Sequence, residues 1–155
     1  MKLNVFTDYS LRVLIFLAAE PTRRATIAEV AEAFHVSTHH LTKVVHFLGK
    51  EGWLANVRGK GGGMQLAMAP QHIVVGRVVR AAEGAAMPAE CFGEEPDRCS
   101  IARICRLRGV LKEAVDAFYA ALDRYTLADI TQNRAAMSRV LGITELVPRH
   151  VVARA

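Results

Sequence analysis

Cysteine is scarce in this chain of 155 residues, and it is confined to one place. All three cysteines, Cys91, Cys99 and Cys105, lie within CFGEEPDRCSIARIC, residues 91–105. Three thiols cannot pair off completely as disulfides, and the tight Cys-x2-4-Cys knuckles of zinc fingers and ribbons are missing. No apolar run approaches the ~18 residues that a membrane span needs. The longest candidate, VLIFLAA at 13–19, is short and sits in an amphipathic pattern. The opening MKLNVFTDYS lacks the basic start, apolar stretch and cleavage site of a signal peptide. A cytoplasmic protein is therefore expected, and there a thiol cluster binds metal or senses redox state. There is no Ser–His–Asp arrangement, no pair of catalytic carboxylates and no cofactor fingerprint, so an enzyme is not expected. GKGGG at 59–63 is not a phosphate loop, because Lys60 precedes its glycines and a strand follows.

Hydrophobic residues make up 52% of the chain, enough for a packed core. The formal charge of +5 is uneven: residues 1–80 carry ten Lys or Arg against five Asp or Glu, and residues 81–155 carry ten of each. The excess positive charge thus belongs to the first half, where a phosphate-binding surface is to be sought. Thr7 is a candidate N-cap for a first helix with Leu11, Leu14, Ile15 and Ala18 on one stripe, ended by Pro21. Thr26 and Glu29 form a capping box for a short second helix, with Ile27, Val30 and Ala31 inward. His35 and Val36 make the turn. Ser37 caps a third helix that buries Leu41, Val44, Val45 and Leu48.

Its outward residues, Thr38, His39, His40, Thr42, Lys43 and His46, include no acid, which suits a helix in a major groove. WLANVRGKGGGMQLAM then reads as strands at Trp53–Val57 and Met64–Met68 around a glycine-rich tip bearing Arg58 and Lys60. Glycines there permit close approach of the main chain to phosphate. A helix-turn-helix followed by a basic hairpin is a winged helix that binds double-stranded DNA. Lys43, Arg58 and Lys60 are the expected charge contacts. Thr38, His39 and Thr42 are candidate base-edge readers, and Ser37 doubles as cap and phosphate donor.

The fold class expected is mainly α with a small β-hairpin. The winged helix-turn-helix domain spans 1–82, the cysteine loop 83–105, and a long dimerisation helix with a C-terminal segment 103–142, leaving a tail at 143–155. HIVVGRVVRAAEG supplies a helix with Ile73, Val75, Val78 and Val79 inward, stopped by Gly84. From Ile101 a helix of about six turns is expected, because Ile104, Leu111, Phe118 and Tyr125 recur every seven residues. Leu107, Ala114 and Ala121 fill the intervening positions, and Val115 and Leu122 widen the stripe. Such a seam with no evident partner in its own chain points to a homodimer.

Three thiolates on a loop leading into a helix can cradle an iron–sulfur cluster. Arg98, Arg103, Arg106 and Arg108 would lower the thiol pKa values and offset the cluster's charge. Glu90, Glu94, Glu95 and Asp97 are in the same loop and could supply an oxygen ligand.

FTDYSLRVLIFLA, the wing VRGKGGGMQLA, VGRVVRAAEG and the three cysteines make the chain, to about Leu141, resemble the winged-helix iron–sulfur regulators of bacteria that include NsrR and IscR. YTLADI, residues 125–130, is similar to the NsrR branch. The IscR type takes a fourth ligand from a histidine three residues past the last cysteine, where this chain has Arg108. The NsrR type resembles this chain at Asp8. The resemblance implies a 4Fe–4S cluster held by Cys91, Cys99 and Cys105, completed by Asp8 of the other subunit. Arg12, one turn on, would pair with Asp8 and orient it. It also implies a repressor that loses the cluster to nitric oxide and releases its operator. The alternative within the fold is a regulator of iron–sulfur status, iron supply or redox state, with a 2Fe–2S cluster or metal-free thiols. A 2Fe–2S variant could use His35 as a ligand.

Overall fold

The computed structural model describes residues 2–57, 59, 62–84, 89, 92, 99–102 and 104–143. Arg58, Lys60 and Cys91, together with Glu90, Glu94, Glu95, Asp97, Arg98, Arg103 and the tail from 144, lie outside the described residues.

Helix α1, Val5–Ala19, is the spine. Val13, Leu14, Phe16, Leu17, Ala18 and Ala19 are buried along it. Its N-cap is Asn4, and Thr7 lies one turn inside: the Asn4 side chain accepts the Thr7 N–H at 2.7 Å. The Asn4 N–H in turn donates to the Glu83 carboxylate at 2.9 Å, a partner 79 residues away. The expectation of a Thr7 cap is thereby corrected. The Thr7 side chain is fully buried, and its hydroxyl has no hydrogen-bond partner among the described residues.

Helix α2, Ile27–Phe34, carries the expected capping box, with Thr26 and Glu29 bonding reciprocally. His35 closes it in the left-handed region at φ 53°, which lets the Val36 N–H reach the Ala31 carbonyl at 3.0 Å. Helix α3, Thr38–Lys50, buries Leu41, Val44, Val45 and Leu48, the four residues of the expected stripe. Strands β1, Leu54–Val57, and β2, Gly63–Leu66, pair antiparallel from Leu54 opposite Leu66 to Val57 opposite Gly63. They are slightly shorter than the sequence suggests. Ala25 and Met64 exchange two backbone hydrogen bonds, at 2.9 and 2.8 Å, so the hairpin is also stitched to the segment before α2. Gly63, at φ 149°, permits this: a Cβ there would lie 2.8 Å from the Ala25 carbonyl oxygen.

A short 3-10 turn at Pro70–His72 leads to α4, Val75–Glu83, which buries Val75, Val78 and Val79 and is capped at Gly84. Helix α5, Arg106–Leu122, is shorter than the expected six turns. Residues 101–104 form turns where described, and the chain leaves the helix at Asp123. The seven-residue recurrence ran on through Tyr125 because a sequence period does not register tertiary bonds. Here the Val75 N–H binds the Tyr125 carbonyl at 2.9 Å, drawing the chain off the helical path. Only Val115 of α5 is buried. Ile104, Leu107 and Val110 are 81%, 60% and 60% exposed.

Helix α6, Leu127–Ile130, and helix α7, Arg134–Val140, turn back onto α1. Leu127 and Ile143 join the core, with Met137 and Leu141 packed against it. Ser138 Oγ lies 3.0 Å from the Glu20 carboxylate, tying α7 to the end of α1. No helix among the described residues is long and apolar enough to cross a membrane.

Candidate functional site

Helix α3 has two faces with separate duties. Its apolar quartet packs into the core, while Thr38, His39, His40, Thr42, Lys43 and His46 are all exposed on the opposite side. This face carries a cation and hydrogen-bonding groups without a carboxylate, matching the donor and acceptor edges of a major groove. Ser37 occupies the N-cap position with extended backbone, but its hydroxyl makes no capping hydrogen bond. Its hydroxyl therefore does not cap the helix as expected. Thr42 Oγ1 donates to the Thr38 carbonyl at 2.9 Å, so outward it presents oxygen lone pairs and a methyl group.

The wing stands beside this helix, with Gly59 at φ 93° and the Gly62 N–H bonded to its carbonyl at 2.9 Å. Sequence reasoning missed Arg24, an exposed cation at the wing's base whose Nε–H donates to Gln65 at 3.2 Å. No pattern placed Arg24 there, because the pairing of Ala25 with Met64 is long-range.

Asp8 and Arg12 meet as expected from their four-residue spacing. Arg12 Nε–H donates to Asp8 Oδ1 at 3.1 Å, and Nη2 approaches Oδ2 at 2.8 Å. Both side chains are half-exposed, so the carboxylate is held by two prongs yet remains reachable from outside. The Arg12 guanidinium lies over the rings of Tyr9, at 5.9 Å, and Phe34, at 5.7 Å. Tyr9 in turn faces His40 of α3, with ring centroids 6.2 Å apart.

Cys105 is the N-cap of α5, half-buried, and makes no side-chain capping bond. Its sulfur lies at the positive end of the α5 dipole, with Arg106 and Arg108 next along the chain. Cys99 is exposed, and both thiols are free. Arg108 lies over the Phe92 ring at 5.5 Å, which brings the residue after Cys91 against the start of α5. Among the described residues of one chain, no three His, Cys, Asp or Glu come together as a metal site. The donors are chemically suited to cluster iron all the same: free thiols, one at a helix N-terminus, and an accessible carboxylate already oriented. His35 sits on the turn between α2 and α3, in a cleft of about 330 Å³ also lined by Arg23, Glu29 and Glu32. In that cleft, burial raises the Glu29 carboxyl, but bonds from the Thr26 backbone and Arg23 outweigh it and hold the group below the usual carboxylate range.

The family Rrf2, described as "Iron-dependent Transcriptional regulator", matches residues 3–133. The HTH-type transcriptional regulator NsrR of Bacillus subtilis (strain 168) is 44% identical over 146 residues, covering 94% of this chain and all of that protein. The NsrR regulator of Geobacillus kaustophilus is also 44% identical, over 91% of this chain and 97% of its own. Among solved structures, T. potens IscR aligns with a TM-score of 0.69 at 24% identity, covering 85% of this chain and 87% of that one. CymR, described as the global cysteine regulator of B. subtilis, aligns at 0.64 and 26% identity, covering 85% and 97%.

Proposed function

Since this chain belongs to the Rrf2 family and is a DNA-binding transcription regulator, we propose that it is a cytoplasmic, homodimeric repressor that senses nitric oxide through a 4Fe–4S cluster. The observation that carries the reading is the Asp8–Arg12 pair: a two-pronged, accessible carboxylate at the position where the resemblance to the NsrR branch expects a ligand. Cys91, Cys99 and Cys105 would hold the cluster of one subunit, and Asp8 of the other would complete it. When bound, the cluster would supply iron that reacts with nitric oxide. The chain's own residues do the rest. Arg12 orients Asp8, and the rings of Tyr9 and Phe34 hold Arg12. Because Tyr9 touches His40, a change at Asp8 bears on the recognition helix. Leu107 and Val110 of α5, with Ile104 in the turn just before it, offer the apolar face for the second subunit.

On DNA, Lys43, Arg58 and Lys60 would neutralise phosphates, while Thr38, His39 and Thr42 would face base edges, with Ser37 a phosphate donor. Lys43→Ala is expected to weaken binding about evenly across sequences and to reduce the slope of log K against log salt by about 1. Unequal losses among sequences at unchanged slope would instead make Lys43 a base reader.

The deciding test is an anaerobic absorbance spectrum with iron and sulfide counts per chain, repeated during titration with nitric oxide. A broad band near ~400 nm with about four irons, bleached in proportion to added nitric oxide, is the expected result. A 2Fe–2S spectrum indifferent to nitric oxide would replace it with an iron or redox regulator. A colourless protein that still binds DNA would leave the cysteines as simple thiols.

A further inference from the structure

The C-terminal end of α5 meets α4 in a close junction. Seventeen residues of α5 extend ~25 Å at 1.5 Å per residue. Only Val115 of them is buried within the chain, so apolar packing does little to fix the helix's direction. Direction is set instead at Asp123, its C-cap, where the helix dipole disfavours a carboxylate. Arg80 of α4 offsets this with a two-pronged pair: Nη1 donates to Oδ1 at 2.7 Å, and Nη2 to Oδ2. The same guanidinium lies over the Tyr119 ring at 4.6 Å, one turn back along α5. Arg80's hydrogen bond holds the Asp123 carboxyl below its ordinary range, as a stable pair requires.

The approach of the two helices depends on Gly76. A Cβ added there would lie 2.9 Å from Asp123 Cγ, 3.0 Å from its backbone nitrogen, and closer still to its carboxylate oxygen Oδ1. Beyond the clamp, the Val75 N–H binds the Tyr125 carbonyl at 2.9 Å and the Leu127 N–H binds the Ile73 carbonyl at 2.8 Å. Helix α4 is itself fixed to α1 through the Asn4–Glu83 bond and the buried Val78, and α1 packs on α3. A continuous path of packed and hydrogen-bonded elements therefore joins the arm to α3.

We propose that Gly76, Arg80 and Asp123 are positioning residues that fix the angle of α5 against α3 and so set the half-site spacing the protein accepts on DNA, an inference that rests on the dimeric reading above. A swing of ~10° at Asp123 displaces the far end of a ~25 Å arm by ~4 Å. That exceeds the ~3.4 Å rise of one base pair, and two-fold symmetry applies the swing in both subunits. The bases read are unchanged, because no residue of the junction belongs to the outward face of α3. Spacing alone changes.

The experiment is selection from a random duplex library with anaerobically purified, full-length protein, comparing the parent, Gly76→Ala and Asp123→Asn. Sedimentation and a melting curve are recorded for each. The parent is expected to recover inverted half-sites at one spacing. Folded, dimeric Gly76→Ala is expected to recover the same half-site sequence with the spacing moved by about one base pair or spread around it. Its preference for the parental spacing should fall by about tenfold, as for a mismatched position in the site. Asp123→Asn, which keeps the shape and removes the ion pair, should spread the spacing less.

A dimeric Gly76→Ala protein that keeps the parental spacing profile overturns the proposal. If Gly76→Ala does not fold, an unaltered profile in Asp123→Asn overturns it equally. A parent that recovers single, unpaired half-sites removes the dimeric reading and the proposal with it, which separates the two failures.

Discussion

Asp8→Ala is expected to leave the fold standing and to strip the protein of a durable cluster. The two effects differ in size for a physical reason. Within the chain, Asp8 contributes a half-exposed ion pair with Arg12 one helical turn away, and such pairs are worth about 0–1 kcal/mol. The melting temperature of the cluster-free protein should therefore move by only a few degrees, since about 1 kcal/mol shifts a domain of this size by roughly 4 °C. Toward a cluster the same carboxylate would be a ligand. Loss even of a group that only orients a ligand costs roughly 10–100-fold in metal affinity, so the ligand itself should cost at least as much. The measurement is the decay of visible absorbance under limiting oxygen, alongside thermal melting. Unchanged decay, DNA affinity and nitric oxide response would remove Asp8 from the proposed ligand set. A large fall in melting temperature would show that Asp8 matters mainly to the helix.

Leu14→Ala should cost about 3 kcal/mol of stability, whereas Leu107→Ala should cost less than about 0.5 kcal/mol in a monomer. Leu14 is fully buried in α1, within the cluster that also holds Val30, Leu41 and Leu48. Its truncation removes apolar contacts and leaves a cavity that the helices packed around α1 cannot collapse to fill. Leu107 is 60% exposed, so truncation within one chain removes little. If a second subunit covers α5, Leu107→Ala should instead weaken association, and the stability loss should grow on dilution of the protein. Denaturant melts at two protein concentrations test both statements. A concentration-independent, near-zero effect at Leu107 would argue that this face remains open in solution.

The sequence was most legible where local chemistry decides structure. The Thr26–Glu29 box and the inward quartet of α3 depend on spacings of three and four residues, and the fold follows both. Asp8 and Arg12 obey the same rule. Legibility failed where distant residues intervene. Asn and Thr are both common capping residue types, but Asn4 takes the cap, its position reinforced by Glu83 on α4, which no local pattern encodes. The heptad recurrence through Tyr125 was real as composition, but bonds from α4 end the helix at Leu122. The candidate site divides similarly. Residue type and spacing marked the exposed, acid-free face of α3 and the run of three cysteines, while the proposed ligand set and its crossing between subunits came from resemblance. Arg24 at the wing's base and the Gly76–Asp123 contact became visible only once the chain was folded.

The partition of α3 bears on how such a regulator diverges. Its four inward residues are all core, and its outward residues take no part in that core. Substitutions at Thr38, His39, Lys43 and His46 therefore carry little thermodynamic penalty, and with this face reading DNA as proposed, drift there would explore new operators without risking the scaffold. After gene duplication, two copies with identical cores can part ways at these positions alone. On that reading the helix would keep inheritance of shape and invention of address on opposite sides of one cylinder.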